Sequence, residues 1–264
     1  MVKYIIYKAS GGLVHMLKGI HFCIQKAKET NRKLIIDCAN HSAFKMDFSR
    51  IFFIDDASFN YSDNYDDECP VEDEIKKTPA KYINGQYFIG EQNISIVDWN
   101  TTTNDVIIYG GAHGNLQMKN IKVVQKIKDD LDKETKITEK YIAGHFRNTD
   151  MKHDINEFID KIKETINKTG IKTFYLATDD STARGQIETG LPEDIIIIQN
   201  TVPPANIGNL HYGSKDKYKQ VYECLRDFYF ILGAQEFIPS HKSGMSRLAM
   251  EMRKNKFSFF IPNQ

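Results

Sequence analysis

The stretch KYIIYKASGGLVHMLKGIHFCIQKAKETNRKLIID, residues 3–37, decides the fold class of this chain. Its first six residues are rich in isoleucine and tyrosine, which is typical of a strand, and a glycine turn at Gly11–Gly12 follows. From Leu13 to Thr30 apolar residues recur at helical spacing, and Lys33–Asp37 is again a short apolar run. The order strand, helix, strand predicts a βαβ unit with a right-handed crossover, and therefore a parallel sheet.

The middle of the chain has a weaker pattern. Residues 40–81 show little periodicity, and the acidic stretch 63–74 is typical of a solvated loop. Two β-prone runs, Tyr82–Ile89 and Ile94–Trp99, predict a hairpin, and Val106–Tyr109 predicts a further buried strand.

After Gly114 strands and helices alternate regularly. We predict helices over residues 119–133, 154–168, 182–188, 218–232 and 244–254, and strands over 140–145, 172–177, 195–199, 236–239 and 257–261. The alternation predicts an α/β fold with two Rossmann-like domains, residues 1–117 and 118–264. Their parallel sheets should face a cleft that is lined by the carboxyl ends of the strands, where such sheets bind ligands.

Composition excludes several classes of protein. The 264 residues carry 35 Lys and Arg against 35 Asp and Glu, so no net charge draws the chain to nucleic acid or to an anionic membrane. The 4 cysteines form no C-x-x-C pair, which argues against a disulfide framework or a zinc site. No apolar run has the length of a signal-peptide core or of a membrane span, and we therefore expect a cytoplasmic protein.

Polar clusters follow two neighbouring strands of the second half. The first is GHFRNTD, residues 144–150, in which Arg147 can bind a phosphate with two parallel hydrogen bonds and His145 and Thr149 can donate further ones. A surface turn in which Asp150 caps the next helix and pairs with Arg147 is an equal alternative. In the second cluster, Asp179 and Asp180 could accept hydrogen bonds from a base or ribose, or they could coordinate Mg²⁺. Alternatively, Asp180 or Ser181 could cap the helix that follows.

Two further clusters contain small residues at turns. In PSHKSGMS, residues 239–246, a strand ends and a helix begins, and such a helix start binds anions through its N–H groups. The Gly11–Gly12 turn lets the backbone approach a ligand, and His15 on the following helical turn could reach that ligand. A plain tight turn is the more frequent meaning of such a glycine pair.

Taken in order, His145–Asp150, Ala177–Asp180 and Ser240–Ala249 resemble the three peptide motifs of the GT-B fucosyltransferases. This superfamily contains the α1,6-, α1,2- and protein O-fucosyltransferases. The Gly11–Leu13 turn is similar to the N-terminal glycine motif of the same family, and Asn148 stands where some members carry a second arginine.

The resemblance implies a GT-B fold in which residues 1–117 form the acceptor-side domain and residues 118–264 bind the nucleotide sugar. It implies that Arg147 binds the β-phosphate of GDP-fucose, that Asp179 or Asp180 contacts guanine or ribose, and that Asp227 is structural or related to guanosine. The donor-binding residues that it implies are Gly11, Gly12, His145, Arg147, Asp150, Asp179, Asp180, Ser240, Ser243, Gly244 and Met245.

The implied reaction is inverting transfer of L-fucose from GDP-β-L-fucose to a hydroxyl of a glycan or glycoprotein, with no metal ion and no cofactor besides the donor. Arg147 would stabilise the leaving GDP. Asp154 and His15 are the first candidates for a general base, and the further alternatives are Asp37, His41 and His113.

Two alternatives stay open at this stage. Asp37, His41 and the segment Gly111–Asn115, which contains His113, could build the two-metal site of a metallophosphoesterase. The same fold could also serve as a non-catalytic module that binds a nucleotide sugar or a glycan.

Overall fold

The computed structural model describes residues 2–9, 11–41, 44–84, 86–99, 102–114, 116–134, 137–148, 153–200 and 215–260. Its contacts divide the chain into two compact units, Met1–Lys128 with Ser258–Gln264, and Asp129–Phe257. The boundary that the sequence predicts lies after residue 117 instead. The last segment joins the first unit because the Val123 N–H donates a hydrogen bond to the Phe259 carbonyl at 2.8 Å.

The first unit contains nine strands and two complete α-helices in the part of the chain that is described. The strands are β1 (Tyr4–Lys8), β2 (Lys33–Asp37), β3 (Phe52–Ile54), β4 (Tyr61–Ser62), β5 (Lys81–Ile83), β6 (Gln86–Ile89), β7 (Gln92–Asn93), β8 (Val106–Tyr109) and β9 (Ile121–Val123). The helices are α1 (Leu13–Thr30) and α2 (Asp73–Lys77), with a short 3₁₀ turn at Phe48–Arg50. The helix α3 (Gln125–Glu134) begins in the first unit and ends in the second.

A four-stranded parallel sheet in the order β4-β2-β1-β8 organises this unit. Helix α1 connects β1 to β2 and has the bounds that the sequence predicts. Gly19 lets the helix lie close to the sheet, because a Cβ atom at this position would come within 2.2 Å of both the Gly111 carbonyl oxygen and the Tyr7 hydroxyl. The predicted βαβ unit is therefore confirmed.

The predicted hairpin of Tyr82–Ile89 with Ile94–Trp99 is wrong. The antiparallel strands here are β5, β6 and β7, and Ile94–Trp99 contains no strand. Ile94 is buried, and its carbonyl accepts a hydrogen bond from the Gly110 N–H at 2.8 Å. The Ile94 N–H still donates to the Tyr87 carbonyl of β6 at 2.8 Å, so this residue links the hairpin to the end of β8.

Two more predictions need correction. The helix predicted over residues 119–133 begins only at Gln125, because residues 121–123 form β9 and pair antiparallel with β3. The final strand predicted over 257–261 is absent from residues 257–260, and Ile261 lies outside the described residues.

The second unit is built on another four-stranded parallel sheet, in the order β12-β11-β10-β13. Its strands are β10 (Ile142–Phe146), β11 (Thr173–Thr178), β12 (Ile196–Ile198) and β13 (Glu236–Ile238). Its helices besides α3 are α4 (Ile155–Thr169), α5 (Ala183–Gly190), α6 (Lys217–Gly233) and α7 (Gly244–Asn255). Phe146, Phe158 and Phe174 lie in the main core cluster, between the sheet and helices α4 and α5. None of the helices in the described part of the chain is long and apolar enough to cross a membrane.

A buried ion pair closes the carboxyl ends of β1 and β2. Lys8 and Asp37 are partners in the strand register, and Lys8 Nζ lies 2.5 Å from Asp37 Oδ2, with both side chains under 5% exposed. Lys8 Nζ also donates to the carbonyls of Lys76 and Thr78 at 3.1 Å, and the Tyr65 hydroxyl donates to Asp37 Oδ2 at 2.7 Å. These hydrogen bonds offset the desolvation of both charges and fasten residues 65–78 to the sheet.

We expect Asp37→Ala to destabilise the protein by about 3–5 kcal/mol, because it leaves the Lys8 ammonium buried without its carboxylate. Asp194→Ala removes the carboxylate of an exposed pair with Lys172 and should cost about 0–1 kcal/mol. Urea unfolding of both variants measures the two costs. Equal costs would contradict a buried structural ion pair.

Candidate functional site

The three motifs of the second half meet at one edge of the second unit's sheet. Strand β10 lies between β11 and β13, and all three run parallel. The residues that follow these strands, Arg147, Asp179 and Ser240, therefore emerge side by side at the carboxyl edge. The three motifs thus lie at the carboxyl ends of strands, where such sheets bind ligands.

Two serine side chains of the third motif make hydrogen bonds to the first motif and to each other's segment. His145 Nδ1 and Ser246 Oγ are 2.8 Å apart, and the Ser240 N–H donates to the same Ser246 oxygen at 3.0 Å. The Arg147 N–H donates to Ser240 Oγ at 3.3 Å. Because Ser240 and Ser246 are buried, these hydrogen bonds hold the end of β10 against the start of α7.

His145 is uncharged at neutral pH and belongs to this set of hydrogen bonds. Burial lowers the pKa of His145 to about 4. The charge of Asp179 opposes this lowering, and the smaller effects of Arg147 and His153 add to it. A neutral imidazole orients Ser246 by a hydrogen bond but adds no positive charge to the site. The resemblance implies that His145 belongs to the donor site, and that role stays a prediction.

Asn148 joins the first motif to the second, and the sequence analysis did not include it among the binding residues. Its N–H donates to Asp179 Oδ1 at 2.7 Å, and its side-chain Nδ2 donates to Asp180 Oδ2 at 2.7 Å. Its Oδ1 accepts from the His153 N–H at 3.2 Å. A single asparagine thus ties together the ends of β10 and β11 and the start of the segment that leads into α4.

The two adjacent aspartates have different surroundings. Asp180 Oδ1 accepts hydrogen bonds from the N–H and the hydroxyl of Thr182 at 2.8 Å, while its other oxygen accepts from Asn148. Asp180 therefore orders the start of α5. Asp179 Oδ2 lies 4.0 Å from Arg147 Nε, and the Arg147 side chain is 20% exposed. Asp179 and Arg147 are thus the charged pair that the edge presents.

The N-terminus of α7 completes this edge. Ser243 is its N-cap, and Ser243 Oγ accepts from the Ser246 N–H at 3.5 Å. Gly244 and Met245 form the first helical turn, which contains no acidic residue. The N–H groups and the positive end of the helix dipole at this position favour an anion.

No protein-family model and no curated protein matches this chain, whereas solved structures do. The fucosyltransferase NodZ from Bradyrhizobium superposes with a TM-score of 0.60 at 15% identity, covering 95% of this chain and 92% of that one. POFUT1 in complex with GDP gives 0.59 at 11% identity and covers 99% of both chains. FUT1 of Arabidopsis thaliana in complex with GDP gives 0.59 at 10% identity, covering 96% of this chain and 69% of that one.

The chain has the fold of these fucosyltransferases. The resemblance and the GT-B fold class that the motifs predict are thereby confirmed. Since the identities are this low, the likeness concerns the fold, and the assignment of each side chain to a role depends on the chemistry of the site.

The other site residues that the sequence predicts lie in both units or outside the described residues. Asp150 and the neighbouring Thr149 lie outside the described residues. Asp154 is exposed and caps α4, accepting a hydrogen bond from the Asn156 N–H at 2.8 Å. Gly11 and Gly12 precede α1, and Gly11 has a φ of +83°, a conformation that favours glycine. His15 is exposed on the first turn of α1.

The other candidate bases have partners in the first unit. Asp37 is held by Lys8, the Phe44 N–H donates to His41 Nδ1 at 2.7 Å, and His113 Nδ1 is hydrogen-bonded to the Tyr109 hydroxyl. Within the described ranges, no three His, Cys, Asp or Glu side chains are grouped as a metal site requires. The two-metal alternative therefore gains no support from the positions of these residues.

Asp227 on α6 is a partly buried carboxyl group of the second unit with a raised pKa. The Tyr175 hydroxyl donates to Asp227 Oδ1 at 2.7 Å, and the Tyr175 ring stacks on Phe230 at 4.4 Å between centroids. Desolvation raises the pKa of Asp227 to about 7, although the Tyr175 hydrogen bond and the charge of Arg226 lower it. The folded protein therefore keeps a proton on this carboxyl well above the pH at which an unfolded aspartate loses it.

This pKa predicts a pH-dependent stability. The free energy of unfolding should fall as pH rises from about 4 to about 7, because in that window the folded state binds a proton that the unfolded chain has released. Asp227→Asn cannot ionise and keeps an oxygen that can accept from Tyr175. We expect it to stabilise the protein relative to wild type at about pH 8 and much less at about pH 5.

Urea unfolding of wild type and Asp227→Asn at the two pH values tests this. Tyr175→Phe is a second probe, since loss of its hydrogen bond should extend the decline in stability to higher pH. A stability difference between Asp227→Asn and wild type that is the same at both pH values would contradict the assignment.

Proposed function

We propose that this chain is a glycosyltransferase that moves L-fucose from GDP-β-L-fucose to a glycan hydroxyl, with inversion and without a metal ion. One observation carries the proposal: Arg147 and the N-terminus of α7, both of which favour a diphosphate, lie at one sheet edge, with Asp179 beside Arg147. A NodZ structure soaked with GDP-fucose and a POFUT1 structure with GDP share the fold and support this choice of donor.

In this mechanism the bond between fucose C1 and the β-phosphate oxygen breaks, and its electron pair stays on the departing GDP. Negative charge therefore grows on the diphosphate in the transition state. The Arg147 guanidinium and the N–H groups of Ser243, Gly244 and Met245 stabilise that charge, which is the role that a divalent cation plays in many glycosyltransferases. Asp179 keeps Arg147 oriented toward the edge, 4.0 Å from its carboxylate.

The acceptor hydroxyl attacks C1 from the opposite face and loses its proton to a general base. We propose Asp154 for this role in the second unit, because its carboxylate is exposed and follows the Arg147 motif. His15 is the corresponding proposal in the first unit. Gly11, Gly12, His145, Asp150, Asp180 and Ser240 complete the proposed donor site, with His145, Asp180 and Ser240 acting through the residues they position.

Calorimetric titration with GDP in the presence of EDTA tests the donor site without knowledge of the acceptor. We expect micromolar binding that is lost, or at least tenfold weaker, in Arg147→Ala, because a charge-assisted pair of hydrogen bonds to phosphate is removed. Arg184→Ala, at an exposed position on α5, is the matched control and should bind GDP like wild type.

UDP serves as the ligand control in the same titration. A wild-type protein that binds no GDP, or an Arg147→Ala variant that binds it as tightly as wild type, would overturn the proposed function.

Asn148 provides a second test of the same site. Asn148→Ala removes the side-chain bonds to Asp180 and to the His153 N–H, so the segment around Arg147 is held less firmly, although it keeps the backbone bonds to Asp179 and Ser240. We expect GDP affinity to fall about tenfold, which corresponds to about one charge-assisted hydrogen bond.

Thr182→Ala is the matched control, because it removes another partner of Asp180 at 2.8 Å without touching the Arg147 loop. It should lower the free energy of unfolding but leave the GDP affinity unchanged. If both variants weaken GDP binding equally, the effect comes from general loss of stability and not from positioning by Asn148.

A further inference from the structure

Lys242 lies in the turn that leads from β13 into α7, within the third motif. The turn is closed by a hydrogen bond from the Ser243 N–H to the Ser240 carbonyl at 3.4 Å. Lys242 has a φ of +65°, in the left-handed region that favours glycine. The turn lies against the first motif, because Ser240 Oγ accepts the Arg147 N–H at 3.3 Å. Lys242 therefore belongs to the same sheet edge as Arg147.

The Lys242 side chain is exposed and is not held in place by another side chain. Within the described ranges of the chain, its ammonium makes no hydrogen bond and no ion pair. The preceding side chain differs, since His241 Nε2 lies 3.4 Å from Lys161 Nζ on α4. The flexible four-carbon stem of Lys242 can therefore turn its ammonium toward a ligand.

This ammonium can reach the space in front of α7. Consecutive Cα atoms are about 3.8 Å apart, so the Lys242 stem begins next to the N-cap Ser243 and close to the N–H groups of Gly244 and Met245. The first turn of α7 contains no acidic residue that would attract the ammonium away. A phosphate that accepts hydrogen bonds from these N–H groups thus comes within range of Lys242.

The other charged groups at this edge balance a diphosphate only in part. Arg147 Nε lies 4.0 Å from Asp179 Oδ2, so the guanidinium shares its charge with a carboxylate. His145 adds no charge at neutral pH, because burial lowers its pKa to about 4. Since a diphosphate carries several negative charges, a further cation at the edge adds to its attraction.

We propose that Lys242 is a donor-binding residue of this chain, whose ammonium binds the β-phosphate of the nucleotide sugar together with Arg147. The inference rests on the proposed function, because it assigns a second cation to the same donor site. When the bond between fucose C1 and the β-phosphate oxygen breaks, its electron pair stays on GDP. The Lys242 ammonium then stabilises the charge that this adds to the leaving group.

Calorimetric titration of the full chain with GDP, in EDTA and with GMP as a competing ligand, tests the proposal. Lys242→Gly removes the ammonium and gives the turn a residue that adopts a φ of +65° without strain, so the variant should be at least as stable as wild type. We expect it to bind GDP about tenfold more weakly. The affinity for GMP should change by less than about twofold, because GMP has no β-phosphate. Lys242→Arg keeps a cation and should bind GDP within about threefold of wild type.

Lys256→Gly is the matched control. Lys256 is also an exposed lysine with a left-handed backbone, at a φ of +51°, but it caps the opposite end of α7. The control therefore makes the same change of charge and of backbone freedom away from the sheet edge. It should bind GDP and GMP like wild type, and urea unfolding of both glycine variants checks that neither loses its fold.

Salt distinguishes the charge of Lys242 from an effect on the shape of the turn. The interactions of an exposed charge are screened by salt, and the Debye length falls to about 3 Å at 1 M. The deficit of Lys242→Gly should therefore shrink from about tenfold at low salt to less than about threefold at about 1 M salt. A deficit that does not change with salt would contradict a role for the charge.

Three further outcomes would overturn the inference: wild-type affinity for GDP in Lys242→Gly, an equal loss for GDP and GMP, or the same loss in Lys256→Gly. Arg147→Ala separates this inference from the proposed function. If wild type binds GDP, Arg147→Ala does not, and Lys242→Gly binds normally, only the role of Lys242 fails. A wild-type protein that binds no GDP defeats the proposed function and this inference with it.

Discussion

The parallel pairing of β10 with β11 on one side and β13 on the other is the constraint on which the candidate site depends. Three motifs that are distant in the sequence become neighbours only because these strands run in the same direction and end at the same edge. Their contacts are then short: the Asn148 N–H to Asp179 at 2.7 Å, and His145 to Ser246 at 2.8 Å. A glycine is needed at position 144 of β10, because a Cβ atom there would come within 2.5 Å of the Phe174 ring of β11.

The two sheets use their carboxyl edges differently. In the first unit, the ends of β1 and β2 are closed by the Lys8–Asp37 ion pair, whose side chains are under 5% exposed. In the second unit, Arg147 remains 20% exposed beside Asp179. A charge that is closed off with its partner stabilises a fold, whereas a partly exposed arginine next to a helix N-terminus can bind a ligand. The second sheet edge therefore carries the charged groups of the candidate site, whereas the edge at β1 and β2 is closed by a structural ion pair.

Local patterns were sufficient for elements whose partners are near in sequence. Helix α1 begins and ends at its predicted residues because its apolar spacing and the flanking turns all lie within the segment itself. The strand β9 was missed because its partner β3 is about seventy residues away, and a short apolar run before α3 looks like a helical turn when that partner is unknown. Ile94–Trp99 has β-prone residues, but its Ile94 bonds to both Tyr87 of β6 and Gly110 after β8, and no strand follows it in this segment.

The candidate site, too, could be predicted only where its features lie within one segment of the sequence. Polar residues that follow strands are visible in the sequence, and so is the anion-binding character of Arg147 and of a helix start. The different surroundings of Asp179 and Asp180 are not visible, because they depend on Asn148 and Thr182.

Hydrogen–deuterium exchange of the full chain with and without GDP, in EDTA, tests the central claim most directly. If the parallel sheet edge of the second unit is the donor site, GDP should slow exchange at three separate segments together: the end of β10, the end of β11 and the first turn of α7. Protection confined to one of these segments, protection elsewhere in the chain, or no protection at saturating GDP would contradict it.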